Sequence, residues 1–121
     1  MLAGFAIAAS CFPALAQDAA HGRSVFNKCR ACHEAEREIL KVGPHLVGVF
    51  GRKAGSLEGY SYSRAMTEAG AAGLVWDDAS LTAYLTAPKA FLPGNSMSFI
   101  GIKDAEDLAD LIAWLKADPK P

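Results

Sequence analysis

Seven of the chain's eleven glycines fall between residues 39 and 74, at positions 43, 48, 51, 55, 59, 70 and 73, with Pro44 among them. Little sustained apolar periodicity runs through that stretch, apart from a short helix around Ser61 to Ala69. It reads as loop, and a loop this long constrains a chain of 121 residues severely. Loop backbone must find partners for its N–H and C=O groups, so it buries poorly and builds little core. The length allows one domain with one modest core. Something besides packed secondary structure must fill the centre, and a large apolar cofactor would do so.

The flanking segments are helical in pattern. Residues 18–31 start at a capping residue, Asp18, and Gly22 and Phe26 stand four apart on one face. Residues 78–86 form a second helix, capped by Asp78 or Ser80 and stopped before Pro88. Residues 88–101 read as irregular, with Pro88, Pro93 and Gly94. The clearest helix follows Asp104, with Asp107 three residues on. Leu108, Leu111, Ile112 and Leu115 there fit the i, i+3, i+4, i+7 rule. No repeat and no strand pattern is visible, so the fold class is all-α, a small single domain.

Residues 1–16 differ from the rest. They carry no charge, thirteen of the sixteen are apolar, and they end Ala14-Leu15-Ala16. This reads as a secretory signal peptide cleaved after Ala16, although no Lys or Arg stands near its start. The competing reading is an uncleaved anchor. The segment is interrupted by Pro13 and falls short of the roughly 20 apolar residues a spanning helix needs. The expected mature chain is residues 17–121, periplasmic and without stable membrane insertion. Cys11 leaves with the leader, and Cys29 and Cys32 remain.

Charge narrows the function classes. Twelve Lys and Arg stand against thirteen Asp and Glu, net −1, which argues against nucleic-acid binding through a strong basic field. Residues 21–64 hold eight basic and four acidic side chains, and residues 65–121 hold four and eight. That asymmetry describes either a dipolar docking surface or ordinary solvated charge.

The cofactor signal is Cys29-Arg30-Ala31-Cys32-His33. C-x-x-C-H is the attachment pattern of c-type haem. On a helical turn, residues three apart project from one side, so two thiols can reach the two vinyl groups at one porphyrin edge. The next residue, His33, brings its imidazole under the iron. A zinc site would want more ligands, and no second Cys pair exists. A redox dithiol would want a βαβ context, which is not visible. The expectation is one covalent haem c (heme c) per chain, joined through Cys29 and Cys32, with His33 on the iron.

A sixth ligand comes from a short list. Met97 lies in Phe91-Leu92-Pro93-Gly94-Asn95-Ser96-Met97-Ser98-Phe99, a loop stiffened by Pro and Gly. Its soft sulfur would favour reduced iron and raise the potential. Met66 reads as core filler. His21 reads as an exposed helix residue and His45 as a loop residue.

With these residues in order, the chain resembles the class I cytochromes c, close to the bacterial periplasmic type that looks like mitochondrial cytochrome c. The resemblance covers nearly all of residues 18–118. Gly22 and Phe26 match the N-terminal helix of that family, and Leu111 and Trp114 match the C-terminal helix that crosses it. The resemblance implies helices packed around one covalent haem with long loops. It implies that the Pro44 carbonyl accepts the His33 ring N–H. Arg52 would be a charge partner near the haem propionates, Tyr62 and Trp76 would hydrogen-bond a propionate, and Tyr84 would lie near the Met97 sulfur. Departures are present. Ser96 stands where Lys is common, and Glu68 to Val75 is a few residues longer than in the mitochondrial type. Asn95 stands where Thr is common, so any bond to propionate would come from an amide. The expected basic ring is thin, with Lys28, Arg30, Lys53 and Lys89 as candidates.

The implied function is a soluble one-electron carrier, monomeric and not an enzyme. Its implied donor is a quinol:cytochrome c oxidoreductase or a periplasmic dehydrogenase. Its implied acceptor is a terminal oxidase, a photosynthetic reaction centre or a peroxidase. Alternatives are a dedicated subunit of one dehydrogenase, a haem peroxidase, or a gas carrier or sensor. The last two need an open iron face.

Overall fold

A computed structural model describes residues 17–121 and Gly4; the predicted leader otherwise lies outside the described residues. Five helices follow one another: α1 (Ala19–Val25), α2 (Arg64–Ala71), α3 (Asp78–Thr86), α4 (Pro88–Phe91) and α5 (Ala105–Lys116). No strand is present among the described residues beyond one isolated antiparallel bridge, Lys53 to Val75.

Local chemistry sets the helix ends. Asp18 accepts the His21 N–H at 3.0 Å and starts α1. The helix stops earlier than residue 31, tightening into a 3₁₀ turn at Phe26–Lys28 before the cysteine motif. Ser63 caps α2, which lies slightly later than its predicted span. Asp77, rather than Asp78 or Ser80, caps α3, in a reciprocal box with Ser80. Asp78 is the first helical residue instead, where a carboxylate still favours the N-terminal dipole. Residues 88–91, expected to be irregular, form the single turn α4 with Pro88 in its first turn. Proline suits that place because its missing N–H would have no helical partner.

α1 crosses α5. Phe26 and Trp114 meet there at 4.9 Å between ring centroids, and both are almost wholly buried. α5 contributes Leu108, Leu111, Ile112, Trp114 and Leu115 to the core. Burying each large apolar side chain stabilises by roughly 1.5–3 kcal/mol. α3 packs on both α5 and α4.

The glycine-rich stretch is held by backbone bonds to residues 74–76. Gly51 N–H donates to the Trp76 carbonyl at 2.7 Å, Trp76 N–H to Arg52 at 3.0 Å, and Ala54 N–H to Leu74 at 2.9 Å. At the far side, Gly101 has φ +108°, and a Cβ there would stand 2.1 Å from the Thr86 carbonyl oxygen. Only glycine fits that approach, which lets Ile102 N–H reach the Leu85 carbonyl at 2.8 Å. The loop carrying Met97 is thereby tied to the end of α3.

Candidate functional site

Loops and helices enclose a largely apolar cavity of about 440 Å³, within the roughly 300–1,000 Å³ usual for ligand and cofactor sites. Every residue assigned from the sequence to cofactor contact borders it: Cys29, Cys32, His33, Pro44, Arg52, Tyr62, Trp76, Tyr84 and Met97.

The cysteine motif forms a turn continuing from α1. Cys32 and His33 both donate their backbone N–H to the Cys29 carbonyl, at 3.0 and 2.9 Å. Neither cysteine is in a disulfide among the described residues. Burial, with Cys32 beside it, pushes the Cys29 thiol up to about 11.

His33 is fixed from behind. Its Nδ1 lies 2.8 Å from the Pro44 carbonyl oxygen. A carbonyl only accepts, so Nδ1 carries the proton and Nε2 keeps its lone pair. Burial holds His33 below the usual imidazole range despite that bond, so the ring is neutral at pH 7, as a metal ligand requires. Gly43 leaves the ring its space: a Cβ there would stand 2.3 Å from His33 Cε1.

Met97 borders the same cavity on the loop after α4. The Tyr84 hydroxyl donates to Met97 Sδ at 3.9 Å. Burial pushes Tyr84 up to about 12, so it remains a donor. Tyr84 also stacks on Trp76 at 5.1 Å. Met66 lines the cavity as well.

Arg52 is half-buried, and burial lowers its affinity for its proton. Its guanidinium donates to the His45 carbonyl at 2.8 Å and to the Val47 carbonyl at 3.4 Å. Tyr62 accepts the Leu57 N–H at 3.2 Å. Asn95 borders the cavity, but its amide is committed within its own loop, to the Pro88 and Leu92 carbonyls. Both amide hydrogens are thus used within the loop. His45 is buried, does not line the cavity, and its Nδ1 has no partner among the described residues. His21 is exposed, bonded to Asp110 on α5.

Of the four candidate surface cations, Lys28 alone lines the cavity. Arg30 lies over the Phe26 ring at 5.1 Å, Lys53 sits at the isolated bridge, and Lys89 donates to the Asn95 carbonyl. Sequence reasoning passed over Tyr60, whose hydroxyl donates to the Val42 carbonyl at 2.8 Å and whose ring meets Tyr62 edge-on at 4.8 Å. Its spacing two residues from Tyr62 was the available signal.

The donor set fits a haem. Two thiols and a neutral imidazole lie on one chain turn, a thioether borders the same cavity, and the walls are apolar. Comparison with known proteins agrees. Residues 19–117 match the family Cytochrome c. The chain is 44% identical over 113 residues to a cytochrome c2 of Blastochloris viridis, covering 93% of this chain and 87% of that one. It is 47% identical over 107 residues to a cytochrome c2 of Agrobacterium tumefaciens (strain II Chrys), covering 86% and 96%. The solved structure of cytochrome cH from Methylobacterium extorquens superposes with a TM-score of 0.74 at 45% identity, over 82% of this chain and 97% of that one.

The chain belongs to the cytochrome c family, in its class I form. Its cofactor is a covalent haem c on Cys29 and Cys32, and its work is electron transfer.

Proposed function

We propose that this chain is a soluble periplasmic carrier that passes one electron at a time between larger redox proteins, with His33 and Met97 as the iron's protein ligands. When bound, the haem supplies an iron that changes between ferric and ferrous states by one electron. The chain's residues do the rest. His33 presents Nε2 while Pro44 holds its proton on Nδ1, a bond that makes the imidazole more electron-rich. Met97 offers a soft sulfur, which favours the reduced state. Tyr84 orients that sulfur by its hydroxyl. The apolar walls exclude water from the site.

One observation carries the reading against an enzyme. Among the described residues lining the cavity there is no carboxylate and no histidine besides His33. Besides His33, the histidine and carboxylate groups most used in general acid–base chemistry are therefore missing from the lining. With His33 and Met97 both holding it, the iron would have no position left for a substrate. Residues 1–16 act as a signal peptide, and residues 17–121 are the working monohaem domain. The donor is a quinol:cytochrome c oxidoreductase or a periplasmic dehydrogenase. The acceptor is an oxidase, a reaction centre or a peroxidase. Docking is brief, and the chain works as a monomer.

A potentiometric titration of the haem-loaded protein tests this. The expected result is one reversible single-electron step at clearly positive potential, with no consumption of added peroxide. Peroxide turnover would instead identify an enzyme. A partner that stays bound through purification would make the chain a dehydrogenase subunit.

A further inference from the structure

We propose that Asn95 is a positioning residue for Met97, fixing the backbone from which the thioether reaches the cavity. This rests on the reading of Met97 as an iron ligand. Asn95 is 5% exposed. Its Nδ2 donates to the Pro88 carbonyl at 3.0 Å and the Leu92 carbonyl at 2.8 Å. Its Oδ1 accepts the Met97 N–H at 2.9 Å. The Lys89 ammonium donates to the Asn95 backbone carbonyl and lies 3.4 Å from Oδ1.

This environment permits one amide orientation. Reversed, the NH₂ would face the Met97 N–H and the oxygen would face two carbonyls. The bonds of this side chain are not equivalent. The Pro88 carbonyl also accepts Leu92 N–H at 3.0 Å, and the Leu92 carbonyl also accepts Asn95 N–H at 3.2 Å. Both stay satisfied without the Asn95 side chain. The Met97 N–H has no other partner among the described residues. Residues 95–99 form no helix or strand, so no ladder holds Met97 in place. Methionine is unbranched with three rotatable bonds, so its sulfur is placed only as well as its backbone is. Asn95 therefore links α4 to the residue that carries the sulfur.

Two variants of nearly equal shape isolate the bond. Asn95→Thr keeps an oxygen able to accept the Met97 N–H, and Asn95→Val does not. Each haem-loaded, oxidised protein is titrated with imidazole and followed by visible spectrum, beside wild type and Met97→Ala. Asn95→Val is expected to bind imidazole about ten-fold more tightly than wild type, the scale of one buried hydrogen bond. Asn95→Thr is expected within about three-fold of wild type, since it retains the acceptor. Equal affinities for the two variants would overturn the proposal, even if both had lower thermal stability. Should Asn95→Val fail to fold, Asn95→Ser against Asn95→Ala asks the same question of the same oxygen. If wild type itself bound imidazole as readily as Met97→Ala, the reading of Met97 as ligand would fall, and the proposal with it.

Discussion

A Cβ on Gly22 would stand 2.0 Å from the carbonyl oxygen of Asp110, so α1 and α5 cross with their backbones in contact. The atom met is backbone, which cannot swing aside. Gly22→Ala is therefore expected to force the helices apart and cost about 1–3 kcal/mol. Trp114→Ala removes the fully buried ring on the other side of the crossing and is expected to cost about 3–5 kcal/mol. Denaturant unfolding of the haem-loaded protein measures both, and an unchanged midpoint for Gly22→Ala would contradict the close crossing.

The same crossing carries a pH-dependent pair. His21 Nδ1 lies 2.8 Å from Asp110 Oδ2, and Asp18 N–H donates to Asp110 Oδ1 at 2.7 Å. The hydrogen bond to Asp110 raises His21 above its usual range, helped by the charges of Asp107 and Asp18. The Asp18 N–H, then His21, hold Asp110 below the usual carboxylate range. The His21 contribution is full below its unfolded value of about 6.5 and is lost as pH rises through the raised folded value. The Asp110 contribution is present above its unfolded value of about 3.9 and is lost as pH falls through the lowered one. The pair therefore stabilises most between those unfolded values. The gap in melting temperature between wild type and His21→Gln should be wider near pH 5.5 than near pH 9. A gap independent of pH would mean that folding does not raise the His21 pKa and that the pair with Asp110 contributes no charge-dependent stability.

Gly43→Ala tests the support behind His33. The added Cβ would meet the imidazole at 2.3 Å and push it from the Pro44 carbonyl. Without that acceptor the ring gives less electron density to a metal. The expected outcome is retained haem mass with a higher reduction potential than wild type. An unaltered potential would show that the Pro44 bond does not tune the site.

Cys32→Ala tests the covalent link. At most one thioether can then form, through Cys29. The haem then keeps one free vinyl group, and the pyridine haemochrome band of the variant should move to longer wavelength than that of wild type. A haemochrome spectrum unchanged from wild type would refute attachment at Cys32.

Much of this fold is legible in the residue order. α5 announces itself by an apolar face and by Asp104, which accepts the Asp107 N–H as its place predicts. The cysteine motif, Gly43-Pro44 and Met97 all border one cavity. α4 is not legible, because four residues between prolines carry no period. The cap of α3 is one residue off because Asp77 and Asp78 are chemically alike, and only the reciprocal bond with Ser80 separates them. The role of Asn95 is hidden for another reason. Its partners at Pro88, Leu92 and Met97 come together only when α4 turns the chain back on itself.

The visible spectrum of the reduced, haem-loaded protein under carbon monoxide tests His33 and Met97 together most directly. With both on the iron, the wild-type spectrum should stay unchanged, and Met97→Ala should shift rapidly as the gas binds. Wild type binding carbon monoxide as fast as Met97→Ala would mean an open iron, and the carrier reading would be wrong.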